Sequence, residues 1–458
     1  MSIALSLFLP VLFGIGWLVI QLAPSVAEGA HTRQDAARLL SLALMLGLLV
    51  NYAVVLIAGS LVIAFLIAAA LAAGGWFFAL RKTGTLRAVL GLGRLAWVVL
   101  LVLAVLFALL MLFLPAAEWD ARSIWLFHGK MIFFNDRALN LAGGWDQPFA
   151  SFSHTGYPEL GPILFAQFAT LAGFWNEYFP KAGLLALLLP AVIGLFAFVR
   201  KPGTSGVYLL IMTVFFLGGW LWNGYMDGYL ALYAAVACLF LGRWITGNDR
   251  RDGIAGIAGL AVTASLKNEG DLVILVALIS LAVIVLLRDR SLRPLANLIS
   301  GRTWSLAASA FLGPIAWMAI KKLWHLPGDM PSSPTDLHLI AERLGQGAAG
   351  AIATALFVKA EGAKAAGIAA VSIVAALTVK RRVPVAAWFL LLTAALYGTA
   401  MFWIYLTTNA DLNWHLGTSA GRTTLPVIEL LAAAAFACLF ALEDPGGPAP
   451  RAGRRPSR

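Results

Sequence analysis

Charged residues and cysteines are both scarce in this chain, and each shortage excludes a class of protein. Only 12% of the 458 residues are charged, 61% are hydrophobic, and the mean hydropathy is +0.86. Apolar runs of about 20 residues recur along nearly the whole length, which no soluble globular domain shows. The two cysteines, Cys238 and Cys438, lie within such runs, which excludes an ordinary disulfide framework.

The alternating ten-residue segments of a membrane β-barrel are absent as well. In hydrocarbon each backbone polar group must be paired within its own element, so the apolar runs are helices. The sequence therefore predicts an all-α polytopic membrane protein with about 13 transmembrane helices. The predicted spans lie near residues 3–22, 38–58, 60–80, 95–115, 181–200, 206–223, 228–244, 253–267, 271–288, 303–320, 363–380, 384–407 and 423–442.

The net charge of +11 suggests nucleic-acid binding at first sight, but the distribution of the basic residues argues against it. They cluster in short loops between apolar runs, as the positive-inside rule predicts for cytoplasmic loops. We therefore expect no nucleic-acid partner and a bacterial inner (cytoplasmic) membrane location, with function on the periplasmic or exterior side. The basic clusters are Arg81/Lys82/Arg87/Arg94, Arg200/Lys201, Arg250/Arg251, Arg288/Arg290/Arg293 and Lys380/Arg381/Arg382.

Two segments fit this alternation only if they do not cross the membrane. A full crossing by residues 160–176 would move every later basic loop to the outer side, so we predict an in-plane or re-entrant helix there. The same interpretation applies to residues 337–358, which carry His338, Glu342 and Arg343. The residues at 443–458 are predicted to be a disordered basic cytoplasmic tail near anionic headgroups.

The most polar outer segment spans residues 116–162 and begins directly after a predicted span. A carboxylate at the membrane edge can be half-buried, which raises its basicity, and a nearby arginine can keep it ionised. Glu118, Asp120 and Arg122 supply these groups in the sequence EWDARSIW. The alternative is a solvated helix terminus whose tryptophan belongs to the aromatic belt.

Other polar residues lie where later apolar runs begin or end. His154 and Tyr157 precede two prolines that would start a rigid helix, although a solvated proline-bounded turn is the alternative for His154. Asp227 lies between two apolar runs in NGYMDGY. An acid at the membrane edge should face a cavity rather than lipid, unless it merely caps the next helix.

Two further motifs carry cations. Lys267 and Glu269 lie in LKNEGD between spans, where they could bind ions or phosphate or could simply neutralise each other. Arg422 follows His415 in HLGTSAGR, just before the last predicted span. Its guanidinium fork would suit a phosphate contact, and an arginine that snorkels outward is the alternative.

In this order the motifs resemble the GT-C superfamily of polytopic glycosyltransferases, nearest to the lipid A aminoarabinose transferases and protein O-mannosyltransferases. Asp120 occupies the place of the acidic motif in that family's first long outer loop. GYPELGP resembles its proline-rich helix start, and Asp227 fits its second acid. Lys267 with Gly270 resembles a lysine-glycine motif, and Arg422-Thr423-Thr424-Leu425-Pro426 resembles an arginine followed by Leu-Pro.

The resemblance implies a GT-C-like bundle with in-plane helices in a long outer loop. Residues 1–94 would be extra N-terminal transmembrane helices, and residues 95–442 the catalytic core, with 116–162 as its outer catalytic loop. The family's paired Asp-Glu corresponds here to Glu118 and Asp120 on either side of Trp119.

The resemblance further implies an inverting transfer of a sugar from a polyprenyl-phosphate carrier to a hydroxyl on a cell-envelope glycan, glycolipid or protein. We expect Asp120 to act as the base, because the reaction needs a base near the nucleophile and cations at the leaving phosphate. Phosphate-binding residues would be Lys267, Arg422 and Arg122. The residues expected to line the substrate cavity are Glu118, Asp227, Glu269, His154, Tyr157 and His415.

Two questions stay open from the sequence. Asp120, Asp227 and Glu269 could instead hold Mg²⁺ or Mn²⁺, which oxygen ligands suit. The rival function is an ion-coupled transporter or a flippase for lipid-linked glycans, since such carriers also place charged turns between discontinuous helices. A scaffold within a polysaccharide assembly complex is a third alternative.

Overall fold

The computed structural model describes residues 2–28, 32–137, 152–199, 201–326, 332–359 and 361–440. The predicted tail at 443–458, the middle of the outer loop at 138–151 and the basic residue Arg200 lie outside the described residues.

The described chain is built of α-helices joined by short turns. These helices are α1 (Ser2–Ile20), α2 (Arg33–Ala58), α3 (Leu61–Arg81), α4 (Thr83–Val89), α5 (Arg94–Phe113), α6 (Phe127–Asn135), α7 (Leu160–Ala172), α8 (Leu185–Leu195), α9 (Pro202–Leu210), α10 (Asp227–Gly247), α11 (Arg250–Leu266), α12 (Glu269–Asp289), α13 (Arg293–Leu298), α14 (Thr303–Ala310), α15 (Leu312–Leu323), α16 (Leu337–Gly345), α17 (Ala348–Ala353), α18 (Gly362–Lys380), α19 (Val385–Thr407), α20 (Leu412–Thr423) and α21 (Leu425–Phe440).

Shorter helical turns extend several of these helices. They are 3-10 segments at Pro24–Val26, Phe179–Leu184, Phe196–Phe198 and Gly218–Leu221, and π-helical segments at Ala121–Leu126, Ile211–Leu217 and Thr354–Val358. Within the described residues the only β-type pairing is an isolated antiparallel bridge between Ser332 and Thr408. The prediction of an all-α fold is confirmed for this part of the chain.

Among the described residues, 10 helical stretches are long and apolar enough to cross a membrane. The polytopic character is therefore supported, while the count of 13 stays a prediction. The predicted spans at 3–22, 206–223 and 253–267 are helical but do not meet the same criterion of length and apolarity. The 10 stretches are Arg33–Ala58, Leu61–Arg81, Arg94–Phe113, Phe179–Phe198, Asp227–Gly247, Glu269–Asp289, Thr303–Leu323, Gly362–Val379, Val385–Thr407 and Leu412–Phe440.

Burial separates central helices from peripheral ones. The most apolar stretch of α2 is 89% buried and that of α10 is 83% buried, whereas the values for α3 and α18 are only 28% and 22%. Apolar side chains that remain exposed on a spanning helix must face lipid. We infer that α2 and α10 form the centre of the bundle and that α3 and α18 contact the bilayer.

The N-terminal helices are packed tightly against one another and against later helices. A Cβ on Gly16 of α1 would meet the backbone oxygen of Ala43 in α2 at 1.7 Å, so glycine permits this close helix crossing. Farther along α2, the amides of Asn51 and Gln167 exchange two buried hydrogen bonds of 3.0 and 3.2 Å. The division at residue 94 stays a prediction, but α2 shares a core with helices on the far side of that division.

A buried charge network joins α2, α10 and α11 at one end of the bundle. Asp252 of α11 accepts hydrogen bonds from Arg38 of α2 at 3.0 Å and from Arg243 of α10 at 2.9 Å. The side chains of Arg38 and Asp252 are only 5% and 4% exposed. Buried ions are retained only when they are paired, so this network fixes where the three helices end relative to one another.

The segment predicted as an in-plane or re-entrant helix at 160–176 contains α7. Its 13 residues span about 20 Å, which is less than the hydrocarbon thickness of about 30 Å. The segment at 337–358 contains α16 and α17, which are shorter still. How these helices lie in the membrane stays a prediction.

We predict that Asp252→Asn destabilises the fold by about 1.5–3 kcal/mol, because Arg38 and Arg243 lose their charged hydrogen-bond partner, while Arg38 keeps Asp35 and Asp249. The measurement is the unfolding temperature of the purified chain in detergent. Glu177→Gln is the matched control, since the side chains of Glu177 and its partner Lys130 are 53% and 47% exposed, and such pairs contribute at most about 1 kcal/mol. Equal unfolding temperatures for the two variants would contradict a structural role for the network.

Candidate active site

A cavity of about 700 Å³ lies at the end of α10 and α11 opposite the charge network. It is wide enough for a sugar-sized or larger ligand. Its walls come from segments far apart in the sequence, and polar and aromatic side chains dominate them. The lining residues are Glu118, Trp119, Asp120, His154, Tyr157, Tyr225, Lys267, Asn268, Glu269, Leu272, Ser332, Met401, Ile404, Tyr405, Trp414, His415, Thr418, Ser419, Arg422 and Thr423.

An ion pair between Asp120 and Arg422 crosses one wall of the cavity. Asp120 precedes the π-helical segment after α5, and Arg422 lies in the last turn of α20, 302 residues later. Oδ2 of Asp120 accepts a hydrogen bond from Nη1 of Arg422, and the side chains are 18% and 17% exposed. The arginine therefore points into the protein, which argues against the snorkelling alternative.

This pair leaves hydrogen-bonding capacity unused on both sides. Nε of Arg422 is buried and has no partner among the described residues. Asp120 has no hydrogen bond to a described side chain other than Arg422. A ligand could therefore accept a hydrogen bond from the guanidinium, while the second carboxylate oxygen of Asp120 could accept one from a hydroxyl.

Lys267 is held between two carboxylates from different helices. Its Nζ lies 2.9 Å from Oδ1 of Asp227, the first residue of α10, and 2.8 Å from Oε1 of Glu269, the first residue of α12. The Lys267 side chain is only 3% exposed. The alternative, in which Lys267 and Glu269 merely neutralise each other, does not describe the whole arrangement, because Asp227 of another helix also pairs with Lys267.

The turn that carries Lys267 depends on a close contact between α11 and α12. A Cβ on Gly270 would lie 2.0 Å from the backbone oxygen of Thr263, which no side chain could tolerate. Glycine at this position therefore lets α12 start directly beside the last turns of α11. In the lysine-glycine motif, Gly270 is therefore explained by helix packing and Lys267 by its ion pairs.

Two opposing effects act on the charge of Lys267. Burial disfavours a charged ammonium, and the carboxylates of Asp227 and Glu269 favour it. The charge of Lys267 is therefore compensated from two sides. An ammonium has three N–H groups, and two of them face these carboxylates, which leaves one for a ligand.

Aromatic rings lie beside both cations. Nζ of Lys267 is 5.6 Å from the ring centre of Tyr157, and Cζ of Arg422 is 6.0 Å from that of Tyr225. Burial and the neighbouring Asp120 raise the pKa of Tyr225 to about 12, so its phenol stays neutral and can donate a hydrogen bond. The rings also supply flat apolar surface within a polar cavity.

A hydroxyl network that the sequence analysis missed forms the wall nearest α19. The Tyr405 hydroxyl lies 2.7 Å from Oγ of Ser419 and 2.8 Å from Oγ1 of Thr423. The Tyr405 ring also contacts that of His415 at 4.7 Å. A tyrosine at the end of an apolar span looks like an aromatic-belt residue, so the sequence offered no signal for Tyr405.

Arg343, from the segment predicted to lie in the membrane plane, stabilises the end of α19. Its guanidinium donates to the backbone oxygens of Tyr405 at 2.9 Å, Leu406 at 3.2 Å and Ala410 at 3.0 Å. A cation at a helix C-terminus satisfies unpaired carbonyls and suits the helix dipole. This contact positions the turn that precedes His415.

A second missed group holds the segment that carries His154 and Tyr157. Buried His128 places Nδ1 2.9 Å from Oε1 of Glu159 and Nε2 2.9 Å from the backbone oxygen of Ser153. The same Nε2 lies 3.1 Å from Oγ of Ser153, so both ring nitrogens tie His128 to the segment that precedes α7. The signal available in the sequence was Glu159, an acidic residue next to Pro158 in the otherwise uncharged motif GYPELGP.

The structure does not bring every predicted residue to the cavity. Arg122 is exposed and is absent from the lining, and Asp227 lies behind Lys267 with its side chain 2% exposed. His154 is exposed and lines the cavity, while His415 is buried in its wall. Thus Glu118, Asp120, His154, Tyr157, Lys267, Glu269, His415 and Arg422 share one chamber.

Each of the three predicted metal ligands is paired with a cationic side chain. Asp227 and Glu269 both bind Lys267, and Asp120 binds Arg422. In the part of the chain that the structure describes, no group of three or more His, Cys, Asp or Glu side chains could hold a metal ion. Each carboxylate is neutralised by a cation, so we assign no step to Mg²⁺ or Mn²⁺.

Comparison of the chain with protein-family models, with curated proteins and with solved structures found no match. The resemblance to the GT-C superfamily thus rests on the motifs and on their arrangement.

We predict that Lys267→Met lowers the unfolding temperature at pH 7, because it leaves Asp227 and Glu269 buried without a cation. The measurement is the unfolding temperature of the purified chain in detergent. An unfolding temperature equal to that of the wild type would contradict a structural role for these ion pairs.

Proposed function

We propose that this chain is an inverting membrane glycosyltransferase. It would move a sugar from a polyprenyl-phosphate carrier to a hydroxyl of an extracytoplasmic glycan, glycolipid or protein acceptor. The observation that carries the proposal is the convergence of Asp120, Lys267 and Arg422 on one cavity of about 700 Å³. A carboxylate and two cations in one chamber match a reaction that takes up one proton and releases a phosphate.

Asp120 is the base in this proposal. Arg422 occupies one carboxylate oxygen, so the other oxygen is available to accept the proton of the attacking hydroxyl. The oxygen of that hydroxyl then forms a bond to the anomeric carbon, while the bond from that carbon to the phosphate oxygen breaks. The electron pair leaves with the phosphate, and a single displacement inverts the configuration.

Lys267 and Arg422 hold the leaving phosphate. Both cations line the cavity, and each has at least one N–H group that no described residue accepts. The charges are fixed by carboxylates before the ligand arrives, so little reorganisation is needed when negative charge develops on the phosphate. The aromatic rings of Tyr157 and Tyr225 beside the cations would contact the sugar faces.

Apolar residues line the side of the cavity that adjoins α12 and α19. Leu272, Met401 and Ile404 belong to the lining, and Ile404 is 36% exposed at the protein surface. A carrier with a polar head and a long hydrocarbon tail suits a chamber that is charged within and apolar where it meets the bilayer. This supports a lipid-linked donor over a soluble one.

We predict that Asp120→Asn lowers the rate of sugar transfer by at least about 100-fold, because asparagine cannot accept the proton. The assay uses the purified chain and a synthetic polyprenyl-phosphate sugar. Glu177→Gln is the matched control, since it removes an exposed carboxylate that is absent from the cavity lining. Sugar transfer at the wild-type rate by a correctly folded Asp120→Asn variant would exclude Asp120 as the base.

We predict that Arg422→Lys weakens donor binding and also slows turnover, because lysine keeps the charge but loses the fork that grips phosphate and Asp120 together. The measurement is kcat and KM for the donor at fixed acceptor concentration. Unchanged values of both would exclude a phosphate contact. Uptake of a substrate into proteoliposomes that depends on an ion gradient, with no transfer product, would favour the transporter alternative.

A further inference from the structure

A second concave site lies at the opposite end of the bundle from the cavity. It is a groove of about 210 Å³ between the end of α10, the start of α11 and the short helix α13. Buried Trp244 and Leu298 form its apolar part, and Asn248, Arg250 and Asn297 are exposed around it. Pro294 completes the lining. Its volume is below the range of about 300–1,000 Å³ that is typical of small-molecule pockets, so it suits a compact headgroup.

Arg250 is the arginine of the groove lining, and three more arginines lie on the connection that contains α13. Among the described residues, Arg250 bonds only to the hydroxyl of Ser300, at 3.2 Å, and forms no ion pair. Arg290, Arg293 and Arg302 on the connection that contains α13 form no ion pair with a described residue either. Arginines without carboxylate partners keep their donors available for phosphate oxygens.

The acids nearest to the groove are already occupied. Asp249 is bound by Arg251 at 2.9 Å and by Arg38 at 2.9 Å, and Asp289 is bound by its neighbour Arg288 at 2.5 Å. These ion pairs therefore neutralise the acidic side chains beside the groove. The rim of the groove is left with an excess of positive charge.

Apolar side chains on the same connection remain exposed. Leu292 is 48% exposed, Ile299 is 48% exposed, and Trp304 at the start of α14 is 61% exposed. Leu292 and Ile299 lie between the apolar stretches Glu269–Asp289 and Thr303–Leu323, and Trp304 begins the second stretch, so we infer that they lie at the edge of the hydrocarbon region. A ligand that binds here would have apolar surface beside it and cationic donors at its head.

We propose that the groove is a binding site for the headgroup of an anionic phospholipid. Arg250 of the lining and Arg293, which directly precedes Pro294 of the lining, hold the phosphate. The asparagine side chains bond to the headgroup hydroxyls, and the acyl chains pass along Leu292 and Ile299. The combination of phosphate-binding cations with exposed apolar residues selects a lipid over free phosphate. The occupant is a membrane lipid whether or not the proposed sugar transfer is correct.

The test is lipid binding by the full chain, purified and delipidated in a neutral detergent. Phosphatidylglycerol and phosphatidylcholine with identical acyl chains are titrated separately, and bound lipid is counted by native mass spectrometry. We expect preference for phosphatidylglycerol in the wild type. Arg250→Gln with Arg293→Gln should weaken its binding by about tenfold or more, as loss of charge-assisted hydrogen bonds to phosphate implies.

The matched control is Arg381→Gln with Arg382→Gln, which removes the same charge from the exposed turn between α18 and α19. That control should keep the wild-type preference. Asn297→Phe supplies an independent variant, since it fills the groove without changing the charge and should also weaken binding. An equal loss of phosphatidylglycerol binding in the two double variants would overturn the proposal and indicate diffuse surface charge. Full displacement of the lipid by millimolar inorganic phosphate would overturn it and indicate a site for a free anion.

Discussion

The arrangement of the cavity depends on one buried cation. Lys267 lies at the end of α11 and binds carboxylates at the first residues of α10 and α12, at 2.9 and 2.8 Å. An ammonium that is 3% exposed cannot remain charged in an apolar bundle without such partners. The ion pairs therefore fix the three helix ends relative to one another. Asp120, Arg422 and the tyrosines are arranged around that fixed point.

Two of these helices, α10 and α11, are also joined by charge at their other ends. Asp252 near the start of α11 binds Arg243 near the end of α10, and Arg38 joins them from α2. Asp227 and Arg243 of α10, one in each network, lie about 24 Å apart along the helix axis, somewhat less than the hydrocarbon thickness of about 30 Å. Antiparallel helices that are ion-paired at both ends resist sliding past each other. This rigidity suits a site whose cations must be held in place before a ligand arrives.

Charge in an apolar chain was the sequence signal for the candidate site. Asp120, Lys267, Glu269 and Arg422 lie in polar motifs at the ends of apolar runs, and all four line one cavity. Tyr405 gave no such signal, because its hydroxyl gains a role only through contact with α20. Arg122 has the same charge as Arg422, yet it is exposed outside the lining. Which arginine reaches the cavity depends on the direction in which its helix presents it.

The sequence by itself determined the all-α polytopic character of the chain, since runs of apolar residues must pair their backbone groups internally and cannot do so as isolated strands. It also determined which ionisable residues needed a partner. Only the tertiary structure decided who those partners are: Arg422 for Asp120, 302 residues apart, and Asp227 together with Glu269 for Lys267. The physical reason is that the cost of burying a charge is a property of the residue and its local environment. The neutralising contact depends instead on how distant helices pack.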